Sequence, residues 1–124
     1  MTVVLAVLGF GMLGAVLRYL LSTMVTMRTE WWFPLGIFVV NLSGAFFLGF
    51  VVGLAARQGW PNWLTIGVGT GGIGAYTTYS TWANDSVNLW RDGYRVGLVV
   101  NLVGSVAPGV ALAAAGVIVG SARW

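Results

Sequence analysis

Of 124 residues only nine are charged, six arginines and three acids, which is 7% against about 25% in soluble domains, while 58% are hydrophobic. That balance excludes an ordinary soluble domain and points to a small integral membrane protein. The chain has no Cys, His or Lys, which removes thiolate and imidazole metal sites, Cys and Ser-His nucleophiles and the P-loop lysine, so no enzyme is expected; the arginines are scattered, without the cluster that nucleic-acid phosphates require.

About 20 apolar residues cross the hydrocarbon core of a bilayer, and four stretches of the chain approach that length. The first runs from Met1 to Leu17, meets Arg18 and continues apolar through Val25, which predicts a helix over 2–24. No basic segment precedes it, so a signal peptide is not expected. Arg18 stands roughly 24 Å along that helix, near the far interface. Its guanidinium can snorkel there or attract an anion at the mouth of a pathway, and Asp85 is the acid most available to pair with it.

The second stretch, Trp31 to Ala56, predicts a helix over 33–56 that carries Asn41 and the close-approach pair Gly49-x-x-x-Gly53. An amide at that depth needs partners; it serves as interhelical glue or as a donor to a passing anion. The third stretch, Gln58 to Asn84, predicts a span over 62–90. Its glycines at 67, 69, 71, 72 and 74, followed by Thr77, Thr78, Ser80 and Thr81, are poor helix formers and predict a break near 74–78. Non-helical backbone at membrane depth is tolerated only where it is buried in protein or lines an aqueous cavity, and freed carbonyls there can hold cations. The fourth stretch, Val96 to Ala122, predicts a helix over 96–121. Asn101 and Ser105 share one face as i and i+4, Pro108 is expected to kink the helix, and Gly116-x-x-x-Gly120 is a second close-approach pair.

Tryptophans 31, 32, 60, 63, 90 and 124 fall near the predicted ends, at headgroup level, and only Trp82 is out of place. With four spans, Arg57 and Arg123 lie on one side and Arg28, Arg91 and Arg95 on the other. Two against three gives little positive-inside bias, so insertion in both orientations is expected.

The densest signal is Gly74-Ala75-Tyr76-Thr77-Thr78-Tyr79-Ser80-Thr81-Trp82. Hydroxyl groups gather here without a carboxylate, and no acid lies between Glu30 and Asp85. Hydroxyl and amide hydrogens, with the positive edges of aromatic rings, can replace the water around a small anion. At these residues the chain resembles the Fluc/CrcB fluoride channels, whose glycine-rich third helix carries a motif close to G-x-x-T-T-F-S-T-F. The resemblance covers almost the whole chain. It includes Gly11-x-x-Gly14-Ala15-x-x-Arg18-Tyr19 in the first helix, Asn41-x-x-Gly44-x-Phe46-x-x-Gly49 in the second, and Asp85 where the family usually has Glu.

The resemblance implies an all-α integral membrane protein with four transmembrane helices, the third broken, forming an antiparallel, dual-topology dimer in a bacterial inner membrane. Fluoride would cross passively through pores at the dimer interface. Asn41, Ser80 and Thr81 would be pore residues by this resemblance, with Arg18 near a vestibule beside Asp85. Asn101 and Ser105 extend the polar track of the fourth helix, and the backbone carbonyls of Gly74 and Thr77 from each copy would hold one Na+. Tyr79 and Trp82 replace the phenylalanine pair of the family's pore. Each keeps a ring edge and adds a donor, O–H or indole N–H, together with bulk that could narrow a pore. The partner is then a second copy of the chain within membrane lipid or, alternatively, a paralogous subunit, this chain being a companion of a heterodimeric channel. A small multidrug exporter shares the dual-topology, four-helix plan but relies on a glutamate in the first helix, which this chain lacks.

Overall fold

The computed structural model describes residues 1–29 and 32–122, and its elements are all helical. Glu30, Trp31, Arg123 and Trp124 lie outside the described residues, and with them two of the expected interfacial tryptophans and one of the counted arginines. Helix α1 spans Thr2–Arg28, α2 Leu35–Gln58, α3 Asn62–Ile66, α4 Gly74–Tyr76, α5 Tyr79–Arg91 and α6 Arg95–Ser121. A π-helical stretch, Gly67–Ile73, joins α3 to α4. Among the described residues three helices, α1, α2 and α6, are long and apolar enough to cross a membrane.

Helix α1 runs beyond residue 24 because nothing in Val25-Thr26-Met27 breaks it. It ends at Arg28, where Thr29 turns extended and donates its hydroxyl to the Val25 carbonyl at 2.8 Å. A cation in the last turn also suits the negative end of the helix. Helix α2 stops at Gly59, whose φ of 63° is left-handed and open to glycine at little cost.

The two small-x-x-x-small pairs meet each other. A methyl at Gly49 would overlap the carbonyl of Ala113 and one at Gly53 that of Val117, while methyls at Gly116 and Gly120 would overlap the carbonyls of Phe46 and Phe50. Helices α2 and α6 therefore pack backbone against backbone. Between lipid-like surfaces there is no hydrophobic gain in bringing two apolar helices together, so dispersion contacts at this distance supply the attraction.

The glycine-rich stretch is used in the same way against α1. A methyl at Gly14 would overlap the carbonyl of Gly72, and one at Gly71 would stand 2.8 Å from the backbone of Val7. The π-helical stretch is wider than an α-helix and is common beside functional sites. Four of its seven residues here are glycines, which offer no side chain to resist the widening, and Gly67, Gly69 and Gly71 are buried in its contact with the rest of the bundle. After α4 the backbone changes character: Thr77 and Thr78 are both extended, and α5 begins at Tyr79.

Apolar side chains cover much of the outer surface, Leu5, Leu8, Met12 and Leu13 of α1 among them. Very few residues are fully enclosed; Val40 and Asn101 are the largest side chains that are. At one end of the bundle Trp32 stacks on Tyr94, ring centroids 4.8 Å apart, and lies against Gly97. This is the amphipathic aromatic contact expected near a membrane surface.

Candidate functional site

The functional region grows out of the two extended residues between α4 and α5. In a continuous helix the N–H of Thr78 would bond the carbonyl of Gly74. Here Thr78 N donates instead to Asn41 Oδ1 at 2.9 Å, and Asn41 Nδ2 donates back to the Thr78 carbonyl at 3.1 Å. One side chain of α2 thus satisfies both polar groups of an out-of-helix residue, as buried backbone requires. Asn41 keeps a second amide hydrogen beyond this pair.

Thr78 then caps α5. Its Oγ1 accepts from Thr81 N at 3.3 Å and lies 3.1 Å from Thr81 Oγ1 and 3.3 Å from Ser80 Oγ. Three hydroxyls therefore share one corner of the bundle, with Thr78 itself buried. Thr78 was not among the site residues read from the sequence, although a threonine directly before a resumed helix is an N-cap signal. Substituting Thr78 by Val, which keeps the shape and removes the oxygen, is expected to lower stability by about 1 kcal/mol, read as a lowered unfolding midpoint in detergent, with Thr78→Ser close to the parent.

A groove of about 690 Å³ opens beside these residues. Asn41, Gly74, Thr77, Tyr79, Trp82 and Ser105 line it together with Thr78, aliphatic side chains such as Leu48, Val52, Ile73 and Val106 make up much of the remaining wall, and no lining residue is charged. Tyr79 is 79% exposed and leans on Trp82 with ring centroids 5.4 Å apart. Ser80, Thr81, Asn101, Arg18 and Asp85 are not on its walls. Ser80 and Thr81 reach it only through the Thr78 hydroxyl.

Asn101 is 1% exposed and turned inward, its Nδ2 donating to Ser86 Oγ at 2.9 Å and to the Trp82 carbonyl at 3.4 Å. It binds α6 to α5. The N–H of Trp82 is engaged as well, donating to the Asn101 carbonyl at 3.0 Å and to Ser105 Oγ at 3.2 Å. Trp82, which fits no membrane boundary, therefore sits where it does as a link between helices.

Arg18 and Asp85 do not pair. Arg18 Nη1 donates to the carbonyl of Thr77 at 3.4 Å, beside the C-terminal end of α4, where a cation meets unsatisfied carbonyls. Asp85 lies in a separate cavity of about 240 Å³ with Thr26, Thr29, Asn88 and Asp92 among its walls, and its Oδ2 is buried without a hydrogen-bond partner among the described residues. The expected pairing failed because nearness to a span in sequence does not say which side of a bundle a residue occupies. Two further polar residues went unread: Ser43 Oγ and Tyr76 Oη lie 2.7 Å apart and join α2 to α4.

Apolar helices packed through glycine, with their polar groups gathered inside, define a multi-pass membrane protein. A family model described as CrcB-like protein, Camphor Resistance (CrcB), matches residues 5–117. The chain is 40% identical over 112 residues to fluoride-specific ion channel FluC 2 of Mycobacterium bovis, covering 90% of this chain and 86% of that one. It is 38% identical over 120 residues to fluoride-specific ion channel FluC 1 of Streptomyces avermitilis, covering 97% of each. It is 41% identical over 104 residues to fluoride-specific ion channel FluC 2 of Moorella thermoacetica, covering 83% of this chain and 84% of the relative. The chain belongs to the CrcB-like family.

Proposed function

We propose that this protein is a passive fluoride channel, working as a dimer of two copies inserted in opposite orientations in a bacterial inner membrane. The observation that carries the reading is the uncharged groove beside Thr77 and Thr78, whose wall is mostly aliphatic and whose few polar lining groups are amide and hydroxyl, with the rings of Tyr79 and Trp82 beside them. Fluoride is small and strongly hydrated, so a pathway must return in hydrogen bonds what it removes in water. The spare amide hydrogen of Asn41, the hydroxyls of Tyr79 and Ser105, and the ring edges of Tyr79 and Trp82 are suitable replacements. Chloride, larger and a weaker acceptor, gains less from the same donors. Family membership and the printed names of the relatives support the choice of ion.

In this reading residues 62–91 form one broken transmembrane segment, giving four spans and a single membrane domain. The near-even split of arginines supports dual topology. The groove is open on one side of a single chain and carries the exposed Tyr79, so a second copy laid against it would close a pore at the interface. A Na+ between the two copies fits the backbone: the Gly74 carbonyl has lost its helical donor to Asn41, and that of Thr77 holds only the long contact from Arg18. Carbonyl oxygens are hard ligands suited to such an ion. Bound there, Na+ would tie the two interrupted segments together.

Fluoride efflux from liposomes containing only this protein, read with a fluoride electrode and paired with chloride efflux, tests the function. Fluoride release without chloride release is the expected result. No release from a well-folded protein would overturn it in favour of a companion subunit that needs a paralogous partner.

A further inference from the structure

The Trp82 indole N–H divides its bond between two acceptors on α6, the Asn101 carbonyl and Ser105 Oγ. Behind it, Ser86 Oγ donates to the Trp82 carbonyl at 2.9 Å, and Asn101 Nδ2 bonds both that carbonyl and Ser86 Oγ. Ring and backbone of residue 82 are therefore held from both ends. The N–H is spent on these two acceptors of α6, so it is not itself a donor to an ion in the groove.

Ser105 is placed differently. Its oxygen accepts from Trp82, and among the described residues its hydroxyl has no other hydrogen-bond partner, while the side chain lines the groove. A hydroxyl that accepts one hydrogen bond becomes a stronger donor through its own proton. We propose that Trp82 is a positioning residue: its indole N–H holds Ser105 Oγ as an acceptor, leaving the Ser105 proton aimed into the groove as a donor to the anion. A phenylalanine at 82 could fill the same space but could not orient the serine. This inference rests on the fluoride-channel reading and adds to it a relay that uses the indole in particular.

The test is a mutant cycle in reconstituted liposomes with Trp82→Phe, Ser105→Ala and the double variant, each first shown to match the parent in elution volume and helical content. Each single change is expected to lower fluoride flux about tenfold, the worth of one hydrogen bond to a charged group. The double variant is expected to fall by the same factor and no further, because both changes remove one relay. Ser105→Thr, which keeps the hydroxyl, is expected to retain more flux than Ser105→Ala and, unlike it, to remain sensitive to Trp82→Phe. A double variant that loses the product of the two factors, or a Trp82→Phe flux equal to the parent's, would overturn the relay while leaving the channel reading intact. A parent protein that conducts no fluoride would overturn both.

Discussion

Asn41→Leu is expected to reduce fluoride flux by more than a hundredfold. Leucine has the same branching and number of heavy atoms as asparagine, with somewhat more bulk, but offers nothing to Thr78, whose N–H and carbonyl are both bonded by the Asn41 side chain. Two backbone groups at membrane depth would then be left without partners. Each buried, unsatisfied group costs about 1–3 kcal/mol, and about 1.4 kcal/mol is a factor of ten in population or rate. The chain can escape the cost by closing Thr78 back into a helix on Gly74, which erases the groove wall. Asn41→Asp retains the acceptor for Thr78 N but loses the donor and brings a negative charge to the groove. It is expected to abolish fluoride flux while damaging the fold less. Efflux from liposomes, with thermal unfolding in detergent alongside, separates the two variants. Asn41→Leu with parental flux would show that the amide has no part in the pathway.

Gly116→Leu is expected to prevent folding. A single methyl at 116 already overlaps the carbonyl of Phe46 and would stand 2.8 Å from the nitrogen of Phe50, and neither backbone atom can move without parting α2 from α6. Overpacking in a well-filled interior costs about 1–3 kcal/mol even where side chains can shift, and here the obstacle is main chain. Against a total stability of about 5–15 kcal/mol, loss of monodisperse protein on extraction is the expected result. Gly9→Ala is the matched control: a Cβ there meets nothing within 4 Å. It is expected to be neutral or to stabilise α1 by up to about 1 kcal/mol through the backbone entropy of glycine. Equal behaviour of the two variants would show that glycine at 116 is not there for close approach.

The same positions divide what the sequence makes legible from what only the packing reveals. The scarcity of charge located α1, α2 and α6, because nine charged residues leave few places where an apolar helix can end. Spacing identified Gly49, Gly53, Gly116 and Gly120 as contact points. It could not say that the two pairs face each other, since a four-residue repeat gives a stripe on one helix and no partner. Glycines 67 to 74 were legible as poor helix formers, whereas the π-helical widening was not, because it depends on how closely α1 approaches.

At the site, residue type suggested chemistry but not allegiance. Asn41 has the same amide whether it serves the backbone or an ion, and only the extended conformation of Thr78 shows that most of its capacity is spent on the protein. Trp82 was conspicuous as a tryptophan away from an interface, and its N–H was open to being an anion donor. Its bonds to Asn101 and Ser105 depend on the crossing of α5 and α6, which no local pattern encodes. Arg18 found the end of α4 instead of an acid for the same reason: carbonyls left free by an interrupted helix are invisible in a list of side chains.

The measurement that bears most directly on passive fluoride conduction is the potential at which fluoride flux stops. Proteoliposomes with a tenfold fluoride gradient, clamped by potassium and valinomycin and free of any pH gradient, are predicted to reach zero flux at the fluoride equilibrium potential, about 59 mV for one charge, whatever chloride gradient is imposed. Flux that follows an imposed pH gradient at that potential, or a zero that moves with chloride, would contradict it.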